Sequence, residues 1–142
     1  MDKKKEIYLV SSGCYSDYRI DAVFSTEELA QKYIDNIGVD VHYGEMGIEV
    51  YDLNPCESQI KEGLIPFSVK MDVDGNADYP YYKQTYKINY VGFKVGVKFD
   101  SYDSGKVVMI SNCFAEDEEQ AIKIANERRV QYIASNTWGK NL

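Results

Sequence analysis

Arginine is nearly missing from this chain of 142 residues, histidine occurs once and cysteine three times. Each scarcity excludes something. Cys14, Cys56 and Cys113 are odd in number and far apart, with no Cys-x-x-Cys pair and no histidine cluster. Neither a disulfide framework nor a metal site is indicated, and the thiols read as reduced. His42 stands in a polar stretch with no patterned nucleophile beside it, and the phosphate-binding loop, the Gly-x-Ser-x-Gly elbow and the His-Glu-x-x-His motif are all missing. Binding is favoured over chemistry, although carboxylates are numerous enough that counting alone leaves an acid and base pair open. No run approaches the roughly 18 apolar residues of a membrane span. The N-terminal segment Met1 to Glu6 leads directly into a strand pattern, without an apolar signal segment, so a cytoplasmic protein is expected, with no membrane association and no cofactor. Positive charge is also in deficit: the net charge of −7 repels DNA and RNA over most of the surface. A small anionic ligand stays open, because a pocket needs only local donors.

What is present belongs to a folding chain. Hydrophobic residues make up 44% and charged residues 27%, and the length suits a single α+β domain over residues 1–142. Tyrosine is abundant at 13 residues; its ring suits interfaces and stacking sites, but the abundance alone is better explained by β structure. Ile7 to Ser12 and Arg19 to Phe24 read as a hairpin around the turn cluster Gly13 to Asp17. Ser25 and Glu28 form a capping-box pattern, after which Leu29, Ala30, Tyr33, Ile34 and Ile37 recur on one helical face until Gly38. The middle is strand-rich and irregular. Gly47 to Leu53 and Leu64 to Val73 read as strands joined by a connection at Pro55 to Ser58, and a tyrosine-rich stretch with Pro80 follows. Ile88 to Phe99 and Lys106 to Phe114 then predict a second hairpin around Asp103-Ser104-Gly105. A final helix starts near Asp117, capped in the manner of a box by its spacing to Gln120. Each half thus runs hairpin, phenylalanine, acidic capped helix, which predicts an antiparallel sheet with two capped helices packed on it.

Because arginine occurs only at positions 19, 128 and 129, the place of each is informative. On a helical wheel Ile122, Ala125, Arg129, Tyr132 and Ile133 share a face, which sets a guanidinium in an apolar stripe. A salt bridge or a snorkelling stem resolves that conflict; so does an anion bound bidentately in a cleft or across a subunit interface. Ser111 and Asn112 end the strand that feeds this helix and can join Arg129 around a ligand, although an edge-strand Asn is otherwise unremarkable. Tyr102, in the preceding turn, either packs the turn or offers its ring for stacking on a base. Asp72, Asp74, Asn76 and Asp78 alternate like the opening of a calcium loop, but glycine falls at the fourth position and Lys83 stands where the bidentate Glu belongs, so a polar hairpin turn suffices.

The opening segment Ile7-Tyr8-Leu9-Val10-Ser11-Ser12-Gly13-Cys14-Tyr15-Ser16-Asp17-Tyr18, followed by Phe24-Ser25-Thr26-Glu27-Glu28 and Ala30, resembles the start of a group of small phage proteins. The nearest likeness within that group is the Thoeris anti-defence family of cyclic ADP-ribose isomer sponges. The stretch Val107 to Ala134, with Asn112 and Arg129, also resembles that family in order and spacing. Together the two ends cover about half of the chain. The resemblance implies a protein that binds glycocyclic ADP-ribose isomers made by a host TIR-domain enzyme and withholds them uncleaved from the effector. It implies dimers that can assemble into hexamers, with the nucleotide held between subunits by an aromatic ring, an asparagine and arginines. Carried over by position, these are Asn112 and Arg129, with Tyr102 offered as the ring and Arg19 as a further basic contact. Some relatives also bind cyclic oligonucleotides at separate sites. Two other readings compete: an acidic, tyrosine-rich inhibitor module that docks on a basic host protein, and an enzyme that degrades a nucleotide signal.

Overall fold

The computed structural model describes residues 5–37, 46–77 and 83–140. Gly38, His42, Asp78 and Pro80 lie outside the described residues. The class is α+β, and among the described residues every strand pairing is antiparallel, in two sheets of three and four strands. The chain clusters into two compact units, Met1–Pro55 and Cys56–Leu142.

In the first unit β1 (Lys5–Ser12) is central, flanked by β2 (Arg19–Phe24) and β3 (Gly47–Leu53), with α1 (Glu27–Ile37) between them in the chain. Directly opposed residues share a sheet face, so Tyr8 and Val10 lie on the same side as Phe24, Ala22, Val50 and Ile48. The helix covers that side: Phe24 and Tyr33 rings meet at 5.5 Å, and Val10 and Ala30 are fully buried. The cap of α1 is Thr26, one residue later than the Ser25 pattern indicates, because its Oγ1 accepts the Leu29 N–H at 3.3 Å. Leu29, expected to be inside, is 49% exposed.

The second unit carries α2 (Glu57–Lys61), β4 (Ile65–Met71), β5 (Thr85–Lys87), β6 (Gly96–Ser101), β7 (Val107–Ala115) and α3 (Glu118–Ala134), with sheet order β5-β4-β7-β6. Phe67, Val69 and Met71 of β4 and Met109, Cys113 and Ala115 of β7 alternate with period two onto one face, where α3 seats Ala121 and Ala125. Two small side chains four apart bring the helix axis close to the sheet. At the far end of α3, Phe99 takes Tyr132 and Trp138 edge to face, each at 5.0 Å. The start of α3 is as the sequence predicts: Asp117 Oδ1 accepts the Gln120 N–H at 2.8 Å, and Gln120 Oε1 accepts the Glu116 N–H at 2.6 Å.

Two expectations for the middle need correction. The short helix α2 occupies the connection read as irregular. The strand expected over Ile88 to Phe99 begins only at Gly96. A turn intervenes, in which Asn89 Oδ1 accepts the Val91 N–H at 3.0 Å and the Phe93 N–H bonds to Tyr90 O at 3.3 Å. An Asn side chain that bonds its own backbone two residues on competes directly with a ladder. The turn is pinned by Tyr90 OH on Leu64 O at 2.6 Å and by the Phe93 ring on Phe114 at 4.9 Å.

Candidate anion-binding site

On α3 the residues that face the sheet are Ala121, Ala125, Arg128 and Tyr132, spaced by four, three and four, so the helical stripe is centred one position earlier than the wheel through Arg129 implies. Arg128 is the guanidinium set among apolar neighbours. Its Nη1 donates to Ser111 Oγ and to Asn112 O, both at 2.9 Å, and to Gly96 O at 3.3 Å. The two carbonyls belong to the paired residues Gly96 and Asn112, where β6 begins. Arg128 thereby closes the open end of the β6–β7 ladder, and fully buried Ser111 receives a partner for its hydroxyl.

All three acceptors are uncharged. Among the described residues neither Arg128 nor Arg129 has a carboxylate within ion-pair distance, whereas Arg19 sits 2.9 Å from Asp21. The positive field of Arg128 is felt nearby: burial raises the Cys113 thiol pKa, and the Arg128 charge lowers it in partial compensation. A second unmet group lies one residue from Ser111. Asn112 Oδ1 is buried and accepts no hydrogen bond from any described residue. Its position in β7, between the core-facing Ser111 and Cys113, puts the amide on the sheet face opposite α3.

Of the residues singled out from the sequence, Arg129, Asn112 and Tyr102 of the second unit do not converge. Arg129 turns aside from the core: its Nη1 donates to Val73 O at 2.9 Å, its Nε reaches Asn126 Oδ1 at 3.3 Å, and its guanidinium lies against Gly75. It straps α3 to the turn after β4. Arg129→Ala is therefore expected to lower stability by about 1 kcal/mol, the net worth of an exposed strap of this kind, measured by urea denaturation; an unchanged midpoint would show that the strap contributes nothing. Tyr102 is at the tip of the β6–β7 hairpin, where its N–H bonds Lys106 O at 3.0 Å. Tyr102 lies six residues beyond Gly96, about 20 Å along the ladder, which separates it from Asn112 beyond the reach of one small ligand. Arg19 belongs to the first unit, where its charge is taken by Asp21, itself bonded by Ser12 Oγ at 2.6 Å. The acidic stretch read as a polar turn is one: Asp72 Oδ1 accepts the N–H groups of Asp74 and Asn76 at 3.0 and 2.9 Å. The three thiols are free, with Cys14 exposed and Cys113 buried. No described helix is long and apolar enough to cross a membrane.

Sequence reading passed over Arg128 because both arginines fit an i, i+3, i+4 stripe. The discriminating signal was Ala121: a wheel centred on Ala121 and Ala125 puts position 128 inward, whereas one that counts Ile133 favours 129. Ile133 is 43% exposed.

Over residues 5–64 the chain is similar to a domain of unknown function, DUF7336. That match spans β1 to α2 and leaves Arg128, Ser111 and Asn112 outside it. No curated protein and no solved structure matches the chain.

Proposed function

We propose that this protein binds a small phosphate-bearing nucleotide and holds it uncleaved, as a sponge for a cyclic ADP-ribose isomer of the kind the Thoeris anti-defence resemblance implies. The observation that carries the reading is electrostatic. The chain has 23 carboxylate residues for 16 lysines and arginines, yet two partly buried, adjacent arginines have no carboxylate partner among the described residues. A partly desolvated cation is favoured when an anion meets it, and a planar guanidinium is matched to phosphate oxygens. Asn112 Oδ1, on the opposite face of the sheet from the arginines, is a separate unmet acceptor, whose desolvation costs about 1–3 kcal/mol.

The sponge acts without catalysis, in the cytoplasm of an infected bacterium, and withholds the signal from its effector by affinity and abundance. A site with nanomolar affinity corresponds to about −12 kcal/mol. Because Arg129, Asn112 and Tyr102 are spread over one chain, a ligand that meets more than one of them does so between subunits, in a homodimer or in the hexamer that such dimers build. Cyclic oligonucleotides would occupy separate sites in that assembly.

The test is mass spectrometry of small molecules released by heat from purified protein after incubation in lysate containing an activated TIR-domain enzyme. Recovery of an intact cyclic ADP-ribose isomer, stoichiometric with protein, is the expected result. Release of a cleaved product would make the protein an enzyme. If nothing is released and the signal stays active, the protein-binding inhibitor takes precedence, a reading favoured by Tyr15, which is 97% exposed on the turn after β1.

A further inference from the structure

We propose that Arg128 is a two-sided residue, whose inner nitrogen Nη1 fastens α3 to the sheet while its Nε and Nη2 edge seats one oxyanion, a phosphate group of the bound nucleotide. The assignment rests on the reading of the chain as a binder of a phosphate-bearing ligand, and goes beyond it by naming the contact.

Three features of the guanidinium support it. Nη1 alone makes all three of the hydrogen bonds that Arg128 forms with the described residues, to Ser111 Oγ, Asn112 O and Gly96 O. The planar fork is thereby locked in position, so little side-chain entropy remains to be lost when an anion arrives. Next, every one of those acceptors is neutral, so the hydrogen bonds orient the charge without cancelling it. Finally, Nε and Nη2 donate to no described residue, and these two parallel N–H groups form the edge that pairs bidentately with two oxygens of a phosphate.

The site is also placed where a ligand can reach it. Arg128 is neither buried nor fully exposed, and its anchor is the Gly96–Asn112 pair at which the β6–β7 ladder stops. Among the described residues the buried side-chain atoms without a hydrogen-bond partner are Thr85 Oγ1 and Asn112 Oδ1, so the unbonded Nε and Nη2 of Arg128 keep contact with solvent.

A lysine can supply the charge or the inner hydrogen bonds with its single nitrogen, but not both at the two positions an arginine spans. That sets the experiment. Inorganic pyrophosphate is titrated into the full chain at low ionic strength by calorimetry, with Arg128→Lys and Arg128→Gln as test variants and Lys123→Gln, an exposed charge on the same helix, as the control for general electrostatics. Both Arg128 variants are expected to weaken binding at least tenfold, with Lys123→Gln within twofold of the parent. The Arg128 Nε–H resonance of nitrogen-15-labelled parent protein is expected to shift on saturation, a readout that does not depend on either variant folding. An unshifted resonance at saturation, or parental affinity in folded Arg128→Lys, overturns the seat. A parallel titration with cyclic ADP-ribose separates this proposal from the wider one. Nucleotide binding that survives Arg128→Lys removes the seat and leaves the sponge; pyrophosphate binding that depends on Arg128, with no nucleotide binding, keeps the seat and removes the sponge.

Discussion

Phe67→Ala is expected to lower the stability of the Cys56–Leu142 unit by about 3–5 kcal/mol, the range for removing a fully enclosed aromatic side chain from a packed core. Phe67 is fully buried on β4, one of the two inner strands of its sheet, among Val69, Met109, Cys113, Ala115 and the two alanines of α3. The alanines matter to the size of the loss. They have no side chain long enough to move into the space, so the cavity stays open and its lining forfeits dispersion contacts. Urea denaturation followed by Trp138 fluorescence checks this, because the single tryptophan packs on Phe99 in the same unit. With native domains stable by about 5–15 kcal/mol, a loss of this size takes a large part of the margin. A loss below about 1 kcal/mol would show that β4 can repack, and that α3 is not held to the sheet through Phe67.

Gly13→Ala is expected to cost more than about 2 kcal/mol in the first unit. An L-residue in the left-handed region loses about 1–2 kcal/mol before any clash is counted. Gly13 has φ +79°, and a Cβ there would lie 2.2 Å from Asp17 O and 2.7 Å from its carbonyl carbon, both backbone atoms that cannot swing away. The turn itself is closed by the Asp17 N–H on Cys14 O at 3.0 Å, so relief of the clash would break the element that joins β1 to β2. Hydrogen exchange at the β1–β2 amides is the suitable probe, since it reads the free energy of opening locally. Accelerated exchange confined to those strands is the expected pattern. Unchanged protection would mean the turn adopts another conformation at no cost.

The side chain of Tyr18, which immediately precedes β2, hydrogen-bonds the Glu49 carboxylate on β3, and that bond raises the phenol pKa above its ordinary value. Tyr15, by contrast, projects into solvent from a left-handed backbone position, φ +50°. A firmly tied turn that exposes an aromatic ring is a surface suited to docking on another protein.

Local chemistry made several elements legible in advance. The Asp117–Gln120 cap, the β6–β7 turn at Asp103-Ser104-Gly105 and the strands Arg19–Phe24 and Gly47–Leu53 are decided by residues close in sequence, through side-chain to backbone bonds and alternation of apolar positions. The α+β class follows from the same signals. Where the sequence misled, the competing options were locally equivalent. Ser25 and Thr26 are both good caps by residue type, and it is Thr26 whose hydroxyl accepts the Leu29 N–H. Ile88 to Phe99 has the composition of a strand, and the turn at Asn89 to Phe93 prevails because Tyr90 and Phe93 dock on Leu64 and Phe114, partners distant in sequence.

The candidate site divides along the same line. The sequence by itself determined that arginine is rare, that two of its three copies stand side by side on a helix, and that no familiar catalytic constellation accompanies them. It could not decide which of the two faces inward, because a helix turns by 100° per residue and both positions fit an apolar stripe. That choice was made by tertiary packing: Ala121 and Ala125 are the residues small enough to let α3 lie against β7, and once they are inward, the helical repeat carries Arg128 to Ser111 and leaves Arg129 to the strap at Val73.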